Sequence, residues 1–117
     1  MKEEQLNESI LLSVRRGLDA DEYYDNRLIM LINTVIAILS QLGVGPEEGF
    51  SISGTEETWN DFLSKTDNSR EIFNMVQTYV TYKVGLMFDA PQSSSVATAM
   101  KETVDALEWR LKKEADY

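Results

Sequence analysis

The feature that most constrains the fold is an apolar stretch from Leu28 to Leu42 without any Asp, Glu, Lys or Arg. A membrane span needs about 20 mostly apolar residues, and this stretch has 15, with Asn33, Thr34, Ser40 and Gln41 among them. We therefore expect a buried central helix over about Asn26–Leu42 and no membrane association. Its apolar residues recur at the intervals of a helix face, namely Leu28, Leu31, Ile32, Val35, Ile36, Leu39 and Leu42.

The same helical spacing of apolar residues recurs elsewhere in the chain. It predicts helices over Gln5–Leu18, in a short segment that buries Trp59, Phe62 and Leu63, over Ser69–Phe88 and over Ser94–Ala115. The expected fold is all-α, a small bundle of four to five helices with a Gly/Pro-rich loop, Gly43–Gly49, after the second helix. A length of 117 residues suits one domain, 1–117. We expect its N-terminal helix, within residues 1–18, to be mobile and, like Lys112–Tyr117, to become ordered on docking.

Local sequence signals assign the helix ends. Gly17, after two arginines, is interpreted as the terminator of the first helix, and Gly43 as the left-handed cap of the second. A capping box at Ser53–Glu56 is expected to open the short helix, and Asp67 with Asn68 to open the next one. Gly85 lies inside a predicted helix, and this position is explained if another helix approaches closely there.

Composition excludes most catalytic chemistry. The chain has no cysteine, so neither a disulfide nor a thiolate metal site can form. It has no histidine, which removes the commonest general base and metal ligand. No glycine-rich turn is followed by Lys and Ser or Thr, as a phosphate-binding loop requires. We expect neither an enzyme nor a cofactor.

Two groups of carboxylates have a spacing that resembles metal sites. Asp19, Asp21 and Asp25 resemble the start of a calcium loop, but Tyr24 stands where that loop needs glycine, which favours helix capping. Glu102, Asp105 and Glu108 have the spacing found in magnesium-dependent helical pyrophosphatases, but no second helix offers a matching pair. A solvated helix face is the better interpretation, with Glu108 and Lys112 as an ion pair.

Net negative charge is concentrated in the first half of the chain. The net charge is −9, and no basic residue occurs between Arg27 and Lys65. This charge argues against binding nucleic acid through its phosphates. We interpret the acidic residues of this interval as a surface that a polyanion can pass without binding to it. The alternative is that they belong to an ordinary solvated loop. They are Glu47, Glu48, Glu56, Glu57 and Asp61.

Several motifs, in order and at similar spacing over residues 6–111, resemble those of the head–tail connector, or DNA-packaging adaptor, family of tailed bacteriophages. The first half contributes Leu28-Ile-Met-Leu-Ile-Asn33, Ala37-Ile-Leu-Ser-Gln-Leu-Gly43-Val-Gly and Trp59-Asn-Asp-Phe62. The second half contributes the long segment from Val76 to Lys83, the exit Phe88-Asp-Ala-Pro91 and Glu108-Trp-Arg-Leu111. No single motif is diagnostic, so the order and spacing carry the resemblance.

The resemblance implies a structural ring of about a dozen copies beneath the portal protein, joined by head-to-tail interfaces. Such a ring completes the head, connects it to the tail-side completion or stopper protein, and extends a channel through which DNA passes without specific binding. The implied location is the virion, after synthesis in the bacterial host cytoplasm. The acidic residues named above are candidates for the channel surface, and Phe50 and Ile52 for subunit contacts unless they fold back on the core.

Two further hypotheses remain open from the residues alone. An acidic helical regulator that binds a basic partner would share the charge and the absence of catalytic residues, but would form no ring. A carboxylate–metal enzyme would lose magnesium-dependent activity when Glu102 and Asp105 are replaced by Ala.

Overall fold

The apolar spacing of the sequence corresponds to five α-helices in the computed structural model, which describes residues 5–64, 66 and 69–115. A single turn of 3-10 helix, Glu22–Tyr24, precedes the second helix. Within the described ranges no strand occurs, and extended segments meet only at a bridge between Ser9 and Thr58. The all-α prediction is therefore confirmed. The helices are α1 (Ile10–Leu18), α2 (Asp25–Gln41), α3 (Trp59–Leu63), α4 (Ser69–Phe88) and α5 (Ser94–Ala115).

The two long C-terminal helices have the predicted bounds, whereas the first helix ends at Leu18 as predicted but begins later than predicted, and its terminator is not Gly17. Its regular part begins at Ile10 because Ser9 is extended, and the Ser9 hydroxyl accepts a hydrogen bond from the Leu12 N–H. Gly17 lies inside the helix, and the left-handed residue that ends it is Asp19, with φ of 53°. The predicted start of α4 at Asp67 and Asn68 lies outside the described residues.

The capping box of α3 is also displaced from its predicted place. The Thr58 hydroxyl accepts a 3.1 Å hydrogen bond from the Asp61 N–H, and the Asp61 carboxylate accepts a 3.0 Å bond from the Thr58 N–H. Ser53 does not cap a helix, because its N–H and hydroxyl both donate to the Glu57 carboxylate. The segment from Ser53 to Glu57 is therefore a turn, and the helix begins at Trp59.

Helix α4 is the centre of the bundle, since each of the other four helices packs against it. It crosses α1 closely: a Cβ added to Gly17 would lie 2.8 Å from the Thr81 methyl, and one added to Gly85 would lie 2.8 Å from Leu18. The close helix approach expected at Gly85 is thus confirmed. The largest fully buried side chains include Trp59, Tyr79, Phe62 and Phe73.

Helix α5 packs along α4. Its only buried residues are Val104 and Leu111. The Tyr79 hydroxyl of α4 donates a 2.7 Å hydrogen bond to the Glu108 carboxylate, and Lys83 Nζ lies 3.6 Å from the same oxygen. The contact predicted between Glu108 and Lys112 is therefore replaced by contacts of Glu108 with Tyr79 and Lys83. Burial first, and then the hydrogen bond and charge of Glu108, raise the pKa of Tyr79 well above its usual value.

Candidate functional site: the acidic loop

The acidic loop, residues 43–58, joins α2 to α3 and carries four of the predicted site carboxylates. It leaves α2 through a Schellman motif: the Gly43 N–H donates to the Ser40 carbonyl at 3.0 Å, and the Val44 N–H to the Leu39 carbonyl at 2.9 Å. Gly43 has φ of 94°. Its predicted role as the left-handed cap of α2 is confirmed.

Gly45 brings the loop into close contact with α3. Its φ is 95°, and a Cβ at this position would overlap an edge carbon of the Phe62 ring. Val44 and Pro46, on either side, are buried. The Gly49 N–H then donates to the Pro46 carbonyl at 3.0 Å, which closes a tight turn around Glu47 and Glu48. The first half of the acidic loop is thus held against the core.

Phe50 and Ile52 both fold back toward the core in the single chain. Ile52 is 3% exposed, and its backbone forms two hydrogen bonds with the side-chain amide of Asn33, in α2. Phe50 is half-buried, with its ring centroid 5.3 Å from that of Phe62. This arrangement is the alternative that the sequence left open for these two residues. Their contact with a neighbouring subunit stays a prediction.

Glu57 holds the end of the acidic loop. Its carboxylate accepts hydrogen bonds from the Ser53 hydroxyl and N–H, at 2.9 and 3.0 Å, and from the Gly54 N–H. Desolvation, which raises the pKa of Glu57, is outweighed by these bonds and by one from its own backbone, so this pKa lies below its usual value. The Glu57 carbonyl also accepts a 3.0 Å bond from the Ile10 N–H, which ties the loop to α1.

The predicted site carboxylates therefore fall into two groups. Glu57 and Asp61 are structural, because they close the turn at Ser53 and the capping box of α3. Glu47, Glu48 and Glu56 are exposed on the surface of the loop. Sequence reasoning missed the role of Asn33, whose only signal was a side-chain amide in the middle of the apolar stretch of α2.

The family of this chain follows from comparison with known proteins. A family model described as "Phage connector protein" matches residues 10–117. The chain belongs to the phage connector protein family. Comparison with curated proteins and with solved structures gives no significant match. The resemblance inferred from the sequence is thus confirmed for the family, which is a structural family and not an enzyme family.

The carboxylates considered above as metal ligands lie on other elements of the fold. Glu102 and Asp105 are exposed on α5, whereas Glu108 turns toward Tyr79. Asp21 caps the 3-10 turn by accepting a hydrogen bond from the Tyr23 N–H. Across residues 5–64, 66 and 69–115, no three acidic side chains are grouped to hold a metal ion. In the same ranges, no helix has the length and apolarity to cross a bilayer.

Proposed function

We propose that this connector is a ring subunit of the head–tail joint, assembled beneath the portal in about a dozen copies as one domain, 1–117. The observation that carries the proposal is the family match over residues 10–117, on an all-α fold. In this role it completes the head in the virion, binds the portal on one side and the tail-side completion protein on the other, and extends the DNA channel.

The acidic loop is the part of the connector that we propose to face the channel. Glu47, Glu48 and Glu56 are exposed, and the loop that carries them is fastened to the core by Gly45, Asn33 and Glu57. Repeated around a ring, these carboxylates would give the channel a negative potential, and the phosphates of a passing duplex would be repelled rather than bound. DNA then passes without specific contacts.

The proposal is tested by mixing the purified connector with the portal protein of the same phage genome. Native mass spectrometry and negative-stain electron microscopy should show rings of connector bound to portal, and self-association of the connector alone at high concentration. A strict monomer that ignores the portal contradicts the proposal. Capture of a single basic protein with one-to-one stoichiometry, lost at high salt, would instead support the acidic regulator.

A further inference from the structure

Beyond Arg27, the outward face of α2 carries no charge. Residues 28–46 form the longest run in the chain without Asp, Glu, Lys or Arg. Within it, Met30, Thr34, Ala37 and Gln41 are exposed, and their spacing of three and four residues places them in one stripe, called here the α2 stripe. Met30 is 63% exposed. Charged residues are depleted at the cores of protein interfaces, and this stripe has that composition.

A second charge-free surface is a groove between α4 and the first half of α5. Residues 90–100 carry no charge, and the groove has a volume of about 300 Å³. Val96 and Tyr82 are 49% and 37% exposed, although both are apolar or aromatic. The groove, called here the α4–α5 groove, is lined by Tyr82, Ser95, Val96, Ala99, Met100 and Thr103.

These two surfaces lie on different sides of the fold. α2 and α5 each pack along α4, with little direct contact between them. Val80 and Tyr82 are two residues apart on α4 and so point about 160° apart, Val80 into the core and Tyr82 into the groove. The groove therefore faces away from the core. The α2 stripe also faces away from the core, on the side of α4 where α2 packs. A head-to-tail interface requires two different patches with this separation.

We propose that the α2 stripe of one copy docks into the α4–α5 groove of the next, with Met30 and Ala37 against the groove. The inference rests on the proposed ring. In the proposed ring the occupant is a second copy of this chain, and because each copy carries a net charge of −9, two copies meet most favourably through surfaces without charge. Most other ways of joining two copies would bring like charges together, whereas the stripe and groove meet without burying a charge. One surface is a helix ridge and the other a shallow, open groove, so the two meet through exposed side chains along their length.

The stripe is short, which sets the expected strength of the contact. From Met30 to Gln41 it extends about 17 Å, at about 1.5 Å per residue. The stripe can form the centre of an interface. It is too small to bury the surface of about 800 Å² per partner that is typical of a stable complex. Self-association of the free connector is therefore expected only at high concentration, and becomes efficient when the portal gathers many copies.

The test introduces one carboxylate into each surface, with Ala37→Glu for the α2 stripe and Ala99→Glu for the α4–α5 groove. Both positions are exposed and helical, and glutamate is a good helix former, so folding is retained and is checked by circular dichroism. The matched controls are Ala37→Ser, which adds no charge, and Thr98→Glu, an exposed neighbour of Ala99 that does not line the groove. Sedimentation velocity over a concentration series measures self-association.

Wild type and both controls should self-associate alike, while each Glu variant should associate at least tenfold more weakly. An equimolar mixture of the two Glu variants should form a one-to-one dimer that does not grow, because each variant keeps one intact surface. A misfolded variant could not produce this dimer. The absence of the mixed dimer would overturn the pairing of stripe with groove.

The inference and the proposed function fail in different ways. Glu variants that assemble as wild type does would overturn the inference and leave the ring intact. If the Glu variants self-associate normally but no longer bind the portal, the substituted surfaces contact the portal and not a second copy. That result would also overturn the inference. A wild-type connector that stays monomeric, both alone and with portal, would overturn the ring proposal and the inference together.

Discussion

The side-chain amide of Asn33 forms two hydrogen bonds with the backbone of Ile52. Asn33 Nδ2 donates to the Ile52 carbonyl at 3.0 Å, and the Ile52 N–H donates to Asn33 Oδ1 at 2.8 Å. The amide thus satisfies a donor and an acceptor of a loop that has no strand or helix of its own to do so. One residue of α2 therefore positions the middle of the acidic loop.

Replacing Asn33 by Ala should lower the free energy of unfolding by about 2 kcal/mol, since two hydrogen bonds of about 1 kcal/mol each are lost. The control is Thr34→Ala, at an exposed neighbour whose hydroxyl bonds only the Met30 carbonyl of its own helix. Both variants gain similar helix propensity, so their difference isolates the loop contact. Urea unfolding measures it. Equal stability of the two variants would show that Asn33 does not hold the loop.

The length and place of the long helices were predictable because apolar periodicity is a local property of the sequence. α4 and α5 have the expected bounds, and α2 differs by one residue at each end. The two errors have different causes. Ser9 is extended because it pairs with Thr58, far away in the chain, and such a partner leaves no local signature. The expected capping box at Ser53 is lost because Glu57, one residue beyond the box, accepts the hydrogen bond from the Ser53 N–H, and the spacing alone does not decide between neighbouring acceptors.

The candidate site was predictable in its charge and not in its architecture. The exposure of Glu47, Glu48 and Glu56 follows from the cost of moving a charged carboxylate out of water. The roles of Glu57 and Asp61 depend on turn geometry that several nearby residues can form equally well. The burial of Ile52 depends on Asn33, which lies 19 residues earlier in the chain. An alternation of apolar and polar residues in a loop does not say which surface the apolar ones meet.

Two glycines of the acidic loop separate the effect of backbone conformation from the effect of contact. Gly45 and Gly49 have similar φ values, 95° and 92°, but a Cβ would meet the Phe62 ring only at Gly45 and would be in open space at Gly49. Gly49→Ala should destabilise the connector by about 1 kcal/mol, the cost of a side chain at positive φ.

Gly45→Ala should cost about 2 kcal/mol more, because Phe62 must move from a packed core. Thermal or urea unfolding of both variants measures the difference. Equal losses at the two positions would mean that the contact between Gly45 and Phe62 does not constrain the loop.

Tyr79 should make stability depend on pH in the alkaline range. Its pKa is raised in the folded chain by burial and by Glu108, whereas an unfolded tyrosine titrates near pH 10. The stability that this group contributes is therefore fully present below about pH 10 and is lost as the pH rises further, at up to about 1.4 kcal/mol per pH unit. Tyr79→Phe should lack this component, so the difference in unfolding free energy between wild type and variant should shrink above pH 10. Parallel curves for the two proteins would contradict the prediction.

Reversing two charges of the acidic loop should turn a surface that repels DNA into one that retains it. Glu47→Lys/Glu56→Lys raises the net charge from −9 to about −5 at exposed positions, so folding should be unchanged while assembled rings acquire salt-sensitive DNA binding. The matched control, Glu22→Lys/Glu102→Lys, makes the same change of charge at exposed positions outside the loop. Retention of linear duplex DNA by portal-bound rings, measured over a salt series, should rise for the loop variant only. Equal retention by both variants would show that total charge, and not the position of the loop, governs the interaction with DNA.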